Sequence, residues 1–338
     1  MTHLSIINWN VGGGKLLGLA AEQRRPYREG LNTALAQLCA EHRPDVLCLQ
    51  EVIRYVGLDG QARDLIVAPP GYHFQFFPIL DTGRHSHPTR WNRYRNNGNW
   101  MSDDFIGQGQ GMLWRDDLPH SALWDFEASR PGPSLRAESI PIETGLFVGD
   151  RDTEPRAAVV AHFQYEGDEP RSFFVVNTHL STLHGEREGN PARDELGYET
   201  RMAQLRIILE GIVARHTAWC QLLPDKAGPP AAPPWILAGD LNTSPDSREV
   251  ARILDFGFRD ASPHKGEGNK TSGLGNPPTH TVDYVFATYH ERWQELGPSF
   301  EQLAVNSPTP LLEYRVSDHY PVVALIPLVE KERCAALA

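Results

Sequence analysis

Cysteine is scarce and scattered. Cys39, Cys48, Cys220 and Cys334 are the whole complement of 338 residues, with no C-x-x-C pair among them. That leaves no cysteine zinc site and no disulfide scaffold, and a reduced, cytoplasmic setting is expected. Cys39 and Cys48 stand in apolar runs and are expected as small core residues. Long hydrophobic runs are missing too: no stretch approaches the roughly 20 apolar residues that span a bilayer. The start of the chain has neither a basic segment nor a long apolar one, so a soluble protein without an export signal is expected. Nor is there a basic excess, since 32 Lys and Arg face 43 Asp and Glu for a net charge of −11. Tight nonspecific binding of nucleic acid works by counterion release at a basic surface, so this balance disfavours it while leaving room for a local basic groove.

What is present is enough apolar material, 40%, for a sizeable core, with an ordinary 22% of charged residues. Residues 1–330 read as one large domain and 331–338 as a tail. Residues 4–9 and 45–50 are short β-type runs. Between them, 26–42 places Leu31, Leu35, Leu38 and Cys39 at helical spacing, with Pro26 in the first turn and Pro44 as the stop. A second helix is expected around Leu205, Ile208, Leu209, Ile212 and Val213. Further strands are expected at 111–114, 157–164, 172–178, 234–238, 281–287 and 322–327. The near-continuous apolar character of 157–161 and 173–176 implies burial on both faces, in the middle of a stacked α/β structure. Stretches 81–110, 129–155, 181–194 and 262–280 read as long loops, where substrate identity is expected to be written.

The chemistry is carried by polar residues at the ends of apolar strands. Asn10 ends Ile6-Ile7-Asn8-Trp9-Asn10, and Glu51 ends Leu47-Cys48-Leu49-Gln50-Glu51. Asn177-Thr178-His179 and Gly239-Asp240-Leu241-Asn242 each follow an apolar run, Asp283 lies in Thr281-Val282-Asp283-Tyr284, and Ser317-Asp318-His319 opens the last strand. One such residue is more often a turn or a helix cap. Six in this order are not, because strand ends in an α/β core are rigid and converge on one rim.

These motifs together resemble the endonuclease/exonuclease/phosphatase family, which includes pancreatic-type deoxyribonuclease, abasic-site endonucleases, bacterial sphingomyelinase and inositol-polyphosphate phosphatases. The resemblance runs from Asn10 to His319, and Leu49-Gln50-Glu51, Gly239-Asp240-Leu241-Asn242 and Ser317-Asp318-His319 are its most specific parts. It implies an α/β four-layer sandwich, two packed mixed β-sheets flanked by helices. It also implies a metal-dependent phosphodiester hydrolase using Mg²⁺, with Mn²⁺ as a substitute. Glu51 matches the principal metal ligand, with Asn10 and Asp318 close by. Asp240 would position or deprotonate the attacking water, Asn242 would bind phosphate, and His319 would be oriented by Asp283. His179 would donate to a phosphate oxygen or support the leaving group. Which histidine is acid and which is base stays open. Arg156 falls where relatives often place a phosphate-binding arginine.

Gly12 and His179 depart from the abasic-site pattern and bring the chain closer to the deoxyribonuclease, sphingomyelinase and phosphatase branches. Residues 84–100 interleave Arg84, Arg90, Arg93 and Arg95 with Trp91, Tyr94 and Trp100, a composition suited to a single strand or another polyphosphate. An intracellular nuclease is therefore the leading expectation, with nucleic acid as its phosphate-ester substrate. A phosphatase or phosphodiesterase for a small molecule or phospholipid headgroup, and a noncatalytic scaffold, stand as alternatives. Gly107-Gln108-Gly109-Gln110-Gly111 follows no strand signal and opens no helix, so it is not expected to bind a dinucleotide.

Overall fold

The computed structural model describes residues 3–13, 16, 19, 21–57, 59–82, 105–118, 137–142, 147–165, 171–222, 233–261, 272, 280–288 and 317–327. Arg90, Arg93 and Arg95, the rest of the 84–100 cluster and the tail at 331–338 lie outside the described residues.

Two β-α-β crossovers organise the chain. In the first, β1 (His3–Asn10) passes through α1 (Ala21–His42) to the parallel strand β2 (Val46–Val56). In the second, β8 (Arg171–His179) passes through α2 (Pro191–Leu222) to the parallel strand β9 (Trp235–Asp240). All other described pairings are antiparallel. Around the first pair grow β3 (Ala62–Asp64), β4 (Tyr72–Asp81), β5 (Phe105–Arg115) and β12 (Val322–Pro327), in the order β12-β1-β2-β5-β4 with β3 on β2. Around the second grow β6 (Ala137–Pro141), β7 (Ala157–Tyr165), β10 (Phe258–Asp260) and β11 (Asp283–Thr288), in the order β10-β11-β9-β8-β7-β6. The short helix α3 (Arg248–Asp255) follows β9, capped by Ser247 Oγ, which accepts from Val250 N.

The period of two along each strand decides the layers. Leu4, Ile6, Val46, Cys48, Phe173, Val175, Ile236 and Ala238 fill the seam between the sheets. Their neighbours Ile7, Leu47 and Leu49 face Leu31, Leu35 and Leu38 of α1. On the other side Phe174, Val176 and Leu237 face Leu205, Ile208, Leu209 and Ile212 of α2. The result is a four-layer sandwich, helix–sheet–sheet–helix, as expected.

Several boundaries differ from expectation. α1 begins at Ala21, so Pro26 lies inside the helix rather than in its first turn. Val213 leaves the α2 stripe and is 50% exposed. Glu51 does not end its strand: β2 runs on to Val56 after a register shift between Leu49 and Val52. Within the stretch 81–110 expected as a loop, Asp81 ends β4 and 105–110 belong to β5, whose glycines are strand residues, while 83–104 lie outside the described residues. β4 has no clean alternation and carries Pro78 at a register shift, which suits a strand at the end of the described sheet order and explains why periodicity missed it.

Gly239 binds fold to site. It sits between Thr178 and Tyr284 on the adjacent strands, and a methyl group there would overlap the Thr178 carbonyl oxygen. Gly239→Ala is expected to destabilise the protein by about 1–3 kcal/mol through overpacking. A urea midpoint unchanged by the substitution would show that β8 and β9 are not held this closely.

Candidate active site

The carboxyl ends of both parallel pairs meet on one rim. Asn10 is in register with Gln50, and His179 with Asp240, while Asp283 at the start of β11 is in register with Asp240 from the other side. Crossover connections put their loops at this edge, where open α/β sheets bind ligands.

Asp240 is the hub, with 1% of its surface exposed. Its Oδ2 accepts from Asn10 Nδ2 at 2.9 Å and lies 3.6 Å from His179 Nε2 and 3.7 Å from His319 Nε2. Its Oδ1 accepts from Asn242 N at 2.9 Å, closing a turn in which Asn242 adopts φ 51°. Asn10 Nδ2 also donates to Glu51 Oε1 at 3.2 Å, and Asn10 Oδ1 accepts from Gly12 N at 3.0 Å. The Gly12 bond orients the Asn10 amide, so its nitrogen faces the two carboxylates.

Glu51 stands where β2 bulges, at φ 54°. A non-glycine residue in the left-handed region costs on the order of 1–2 kcal/mol, and such strain collects at functional sites. The bulge turns the side chain into the rim and leaves the residue half-buried.

His319 Nδ1 lies 2.8 Å from Asp283 Oδ2, the pairing expected from the sequence. Its backbone is fixed on both sides: Trp9 Nε1 donates to His319 O at 3.0 Å, and His319 N donates to Ser317 Oγ at 3.1 Å. Ser317 Oγ in turn donates to Asn10 O at 2.6 Å. Asp318 is partly exposed and close enough for its charge to act on Glu51, His319 and Tyr27.

His179 is buried against Arg156, whose Nη1 lies 3.0 Å from Nδ1 and whose Nη2 donates to Glu154 Oε2 at 3.2 Å. On the other side of the ring, Asn242 Nδ2 is 3.0 Å from Nε2 and also donates to Leu180 O at 3.0 Å. Thus Asn10, Glu51, Arg156, His179, Asp240, Asn242, Asp283 and His319 come together in one cluster, with Asp318 at its edge.

Three sets of supporting residues were missed in the sequence. Directly beneath the site, Gln50 Nε2 donates to Asn8 Oδ1 at 2.8 Å and Asn177 Oδ1 at 2.7 Å. Asn177 Nδ2 donates to the carbonyls of Leu49 and Gly111, so the two sheets are tied by amides where the apolar seam ends. A signal existed, because Asn8, Gln50 and Asn177 continue the seam-facing period of Ile6, Cys48 and Val175. Glu154 is the second, with no sequence signal. The third is a buried ionic triad: Arg201 on α2 pairs with Glu186 at 2.7 Å and Glu249 at 2.8 Å. It ties the loop after His179 to α3, and Arg187 of that loop donates to the Asn242 carbonyl.

Electrostatics follow from this crowding. Burial, with the Asp283 charge, holds the Asp240 carboxyl up to about 6. Burial pulls His319 down, but Asp283 and Asp240 outweigh it and lift the imidazole to about 10. Burial and the Arg156 charge hold His179 well below the usual histidine range. Burial also raises Glu51, assisted by the charges of Asp240 and Asp318. An oxygen-rich group whose charges repel one another fits a hard divalent cation. Asp240, Asp283 and His319 also offer ligand atoms within 4.8 Å of one another. In that group, however, His319 Nδ1 is engaged with Asp283, and the carboxylates around the ring favour its protonated form.

The chain belongs to the Endonuclease/Exonuclease/phosphatase family, whose model matches residues 7–319. Members of this family are hydrolases acting on phosphoester bonds and generally use divalent metal ions. The fold is similar to that of the human Nocturnin catalytic domain with bound sulfate, at TM-score 0.53 and 17% identity, over 96% of this chain and 93% of that one. It is similar to D. rerio TDP2 complexed with single strand DNA product, at 0.51 and 18%, over 96% and 99%. A mannosyl-6-phosphatase of Bacteroides thetaiotaomicron matches at 0.53 and 15%, over 96% and 100%. No curated protein matches by sequence. Among the described residues no helix is long and apolar enough to cross a membrane.

The raised His319 value has a consequence for stability. Its folded value is about 10 against an unfolded value of about 6.5, so its protonation stabilises the fold fully below pH about 6.5. That contribution is lost as the pH rises through about 10. Chelator-treated protein should lose stability across this alkaline window, and His319→Gln should flatten the slope. Parallel profiles for the two proteins, measured by denaturant melts, would show that His319 is not held as an imidazolium.

Proposed function

We propose that this chain hydrolyses phosphodiesters, and that its substrate is a nucleic acid engaged as a short or single-stranded segment. The observation that supports it most is the pair of histidines flanking Asp240 Oδ2, at 3.6 and 3.7 Å, beside a partly exposed Glu51. Glu51 would hold Mg²⁺ or Mn²⁺, with Asp318 orienting the ion's surroundings; when bound, the ion would neutralise phosphate charge as a Lewis acid. Asn10 Nδ2 bridges the two carboxylates, donating to Glu51 Oε1 and to Asp240 Oδ2.

Asp240 orients the attacking water and takes its proton, a role suited to a carboxyl raised toward neutrality. Asn242 and His179 donate to phosphate oxygens. His319, clamped by Asp283, enters protonated and supports the departing oxygen. The intracellular reading rests on Cys39 and Cys48, free and buried thiols.

The nucleic-acid reading is supported by Arg90, Arg93 and Arg95 among the aromatics of 84–100, and by the single-stranded DNA product in the D. rerio TDP2 complex. A second reading, a phosphatase for a small molecule, is favoured by the net charge of −11 and by the likeness to a mannosyl-6-phosphatase. Purified protein with Mn²⁺ should cleave a single-stranded oligonucleotide faster than a sugar phosphate. Glu51→Gln should lower that rate on the order of 10²-fold or more and weaken Mn²⁺ binding in calorimetry. Hydrolysis confined to the sugar phosphate would replace the nuclease reading with the small-molecule one. Unchanged Mn²⁺ binding in the variant would remove Glu51 from the metal site.

A further inference from the structure

Arg156 is buried, and both of its terminal nitrogens are engaged by protein: Nη2 by Glu154 Oε2 at 3.2 Å and Nη1 by His179 Nδ1 at 3.0 Å. A guanidinium carries five N–H donors, no acceptor, and a permanent charge. Its contact with His179 is a hydrogen bond only if Nδ1 is bare, and the one proton of a neutral imidazole then sits on Nε2. Asn242 makes the opposite demand. Its amide is oriented by donation to Leu180 O at 3.0 Å, which leaves Nδ2 facing His179 Nε2 at 3.0 Å as a second donor.

A neutral ring can accept from only one of them. The guanidinium is charged, buried and anchored by Glu154, and a charge-assisted bond prevails over a neutral one. With Nε2 protonated, the 3.0 Å contact between His179 Nε2 and Asn242 Nδ2 sets donor against donor, and an oxyanion accepting from both would relieve it. Asp240 Oδ2 lies 3.6 Å from Nε2, beyond hydrogen-bond reach, and does not satisfy the pair.

We propose that Arg156 is a positioning residue that locks His179 as the neutral Nε2–H tautomer, so that His179 and Asn242 form a converging donor pair for an oxyanion. The identity of that oxyanion as a nonbridging phosphate oxygen rests on the function proposed above; the tautomer does not. His179 then takes no part in proton transfer, which leaves Asp240 and His319 to move protons. The arginine that resembled a phosphate ligand acts instead through the histidine. The depressed basicity of His179 agrees with this arrangement.

Long-range proton–nitrogen correlation spectra of the full chain, labelled with ¹⁵N-histidine, test this directly, with His179 assigned by comparison with His179→Asn. The expected spectrum shows a bare Nδ1 and a protonated Nε2, unchanged down to about pH 5.5, below the ordinary histidine value. Arg156→Lys, which keeps a charged donor, should preserve that tautomer. Arg156→Met should move the proton to Nδ1 or restore ordinary titration, and lower kcat on the order of 10-fold or more. In protein labelled with ¹⁵N-asparagine as well, inorganic phosphate should shift both the His179 Nε2–H and the Asn242 side-chain amide signals. A wild-type spectrum with Nδ1 protonated, or an imidazolium near pH 6, would overturn the proposal, as would an Arg156→Met spectrum identical to wild type. A correct tautomer in a protein that cleaves no phosphate ester would leave the lock standing and remove the proposed function.

Discussion

A carboxylate taken out of water between two β-sheets has to be answered by donors, and the rim of this molecule is arranged around that requirement at Asp240. Its neighbours arrive from five directions: Asn10 from β1, His179 from β8, Asn242 from its own turn, Asp283 from β11 and His319 from the approach to β12. Each is held in turn by something further out. The amides of Asn8, Gln50 and Asn177 join the sheets below, and Trp9 and Ser317 pin the last segment. Removing one member of such a buried charged set leaves its partners uncompensated, at a cost of several kcal/mol, so the cluster specifies the geometry of the rim as much as it uses it.

The same constraint accounts for two of the four non-glycine residues at positive φ among the described residues. Glu51 and Asn242 both adopt positive φ, and both are residues whose side chains must leave the direction of their strand to face Asp240 or its rim. The loop after β8 is fixed by burial of charge as well, through Arg201 between Glu186 and Glu249. Gly197 belongs to that arrangement: a methyl group there would run into the Glu186 carboxylate. The shape of the rim thus depends on ion pairs outside the Asp240 cluster.

Much of this was legible in the sequence, for a definite reason. A strand buried on both faces must be apolar throughout, so the switch from Phe173-Phe174-Val175-Val176 to Asn177-Thr178-His179, or from Ile236-Leu237-Ala238 to Asp240, marks the point where the chain leaves the core for a site. The two crossover helices and their strands were visible by the same periodicities. What stayed hidden depends on partners distant in sequence or on backbone geometry. Nothing near Glu154-Pro155-Arg156 announces His179, and nothing near Arg201 announces Glu249, 48 residues away. The Glu51 bulge is indistinguishable from a strand end in the sequence, because a polar residue after an apolar run looks the same in both cases. The different partners of the two histidines, Arg156 on one ring and Asp283 on the other, are equally invisible along the chain.

The proposed function separates two roles: Glu51 would bind the cation, while Asp240 and the His319 imidazole held by Asp283 would act on protons. Anomalous diffraction from crystals grown with Mn²⁺ tests this most directly. It should show a principal peak with Glu51 oxygen in its coordination shell, at about 2.0–2.2 Å, and His319 Nδ1 still bonded to Asp283. A principal peak ligated by Asp240, Asp283 and a displaced His319 would contradict it.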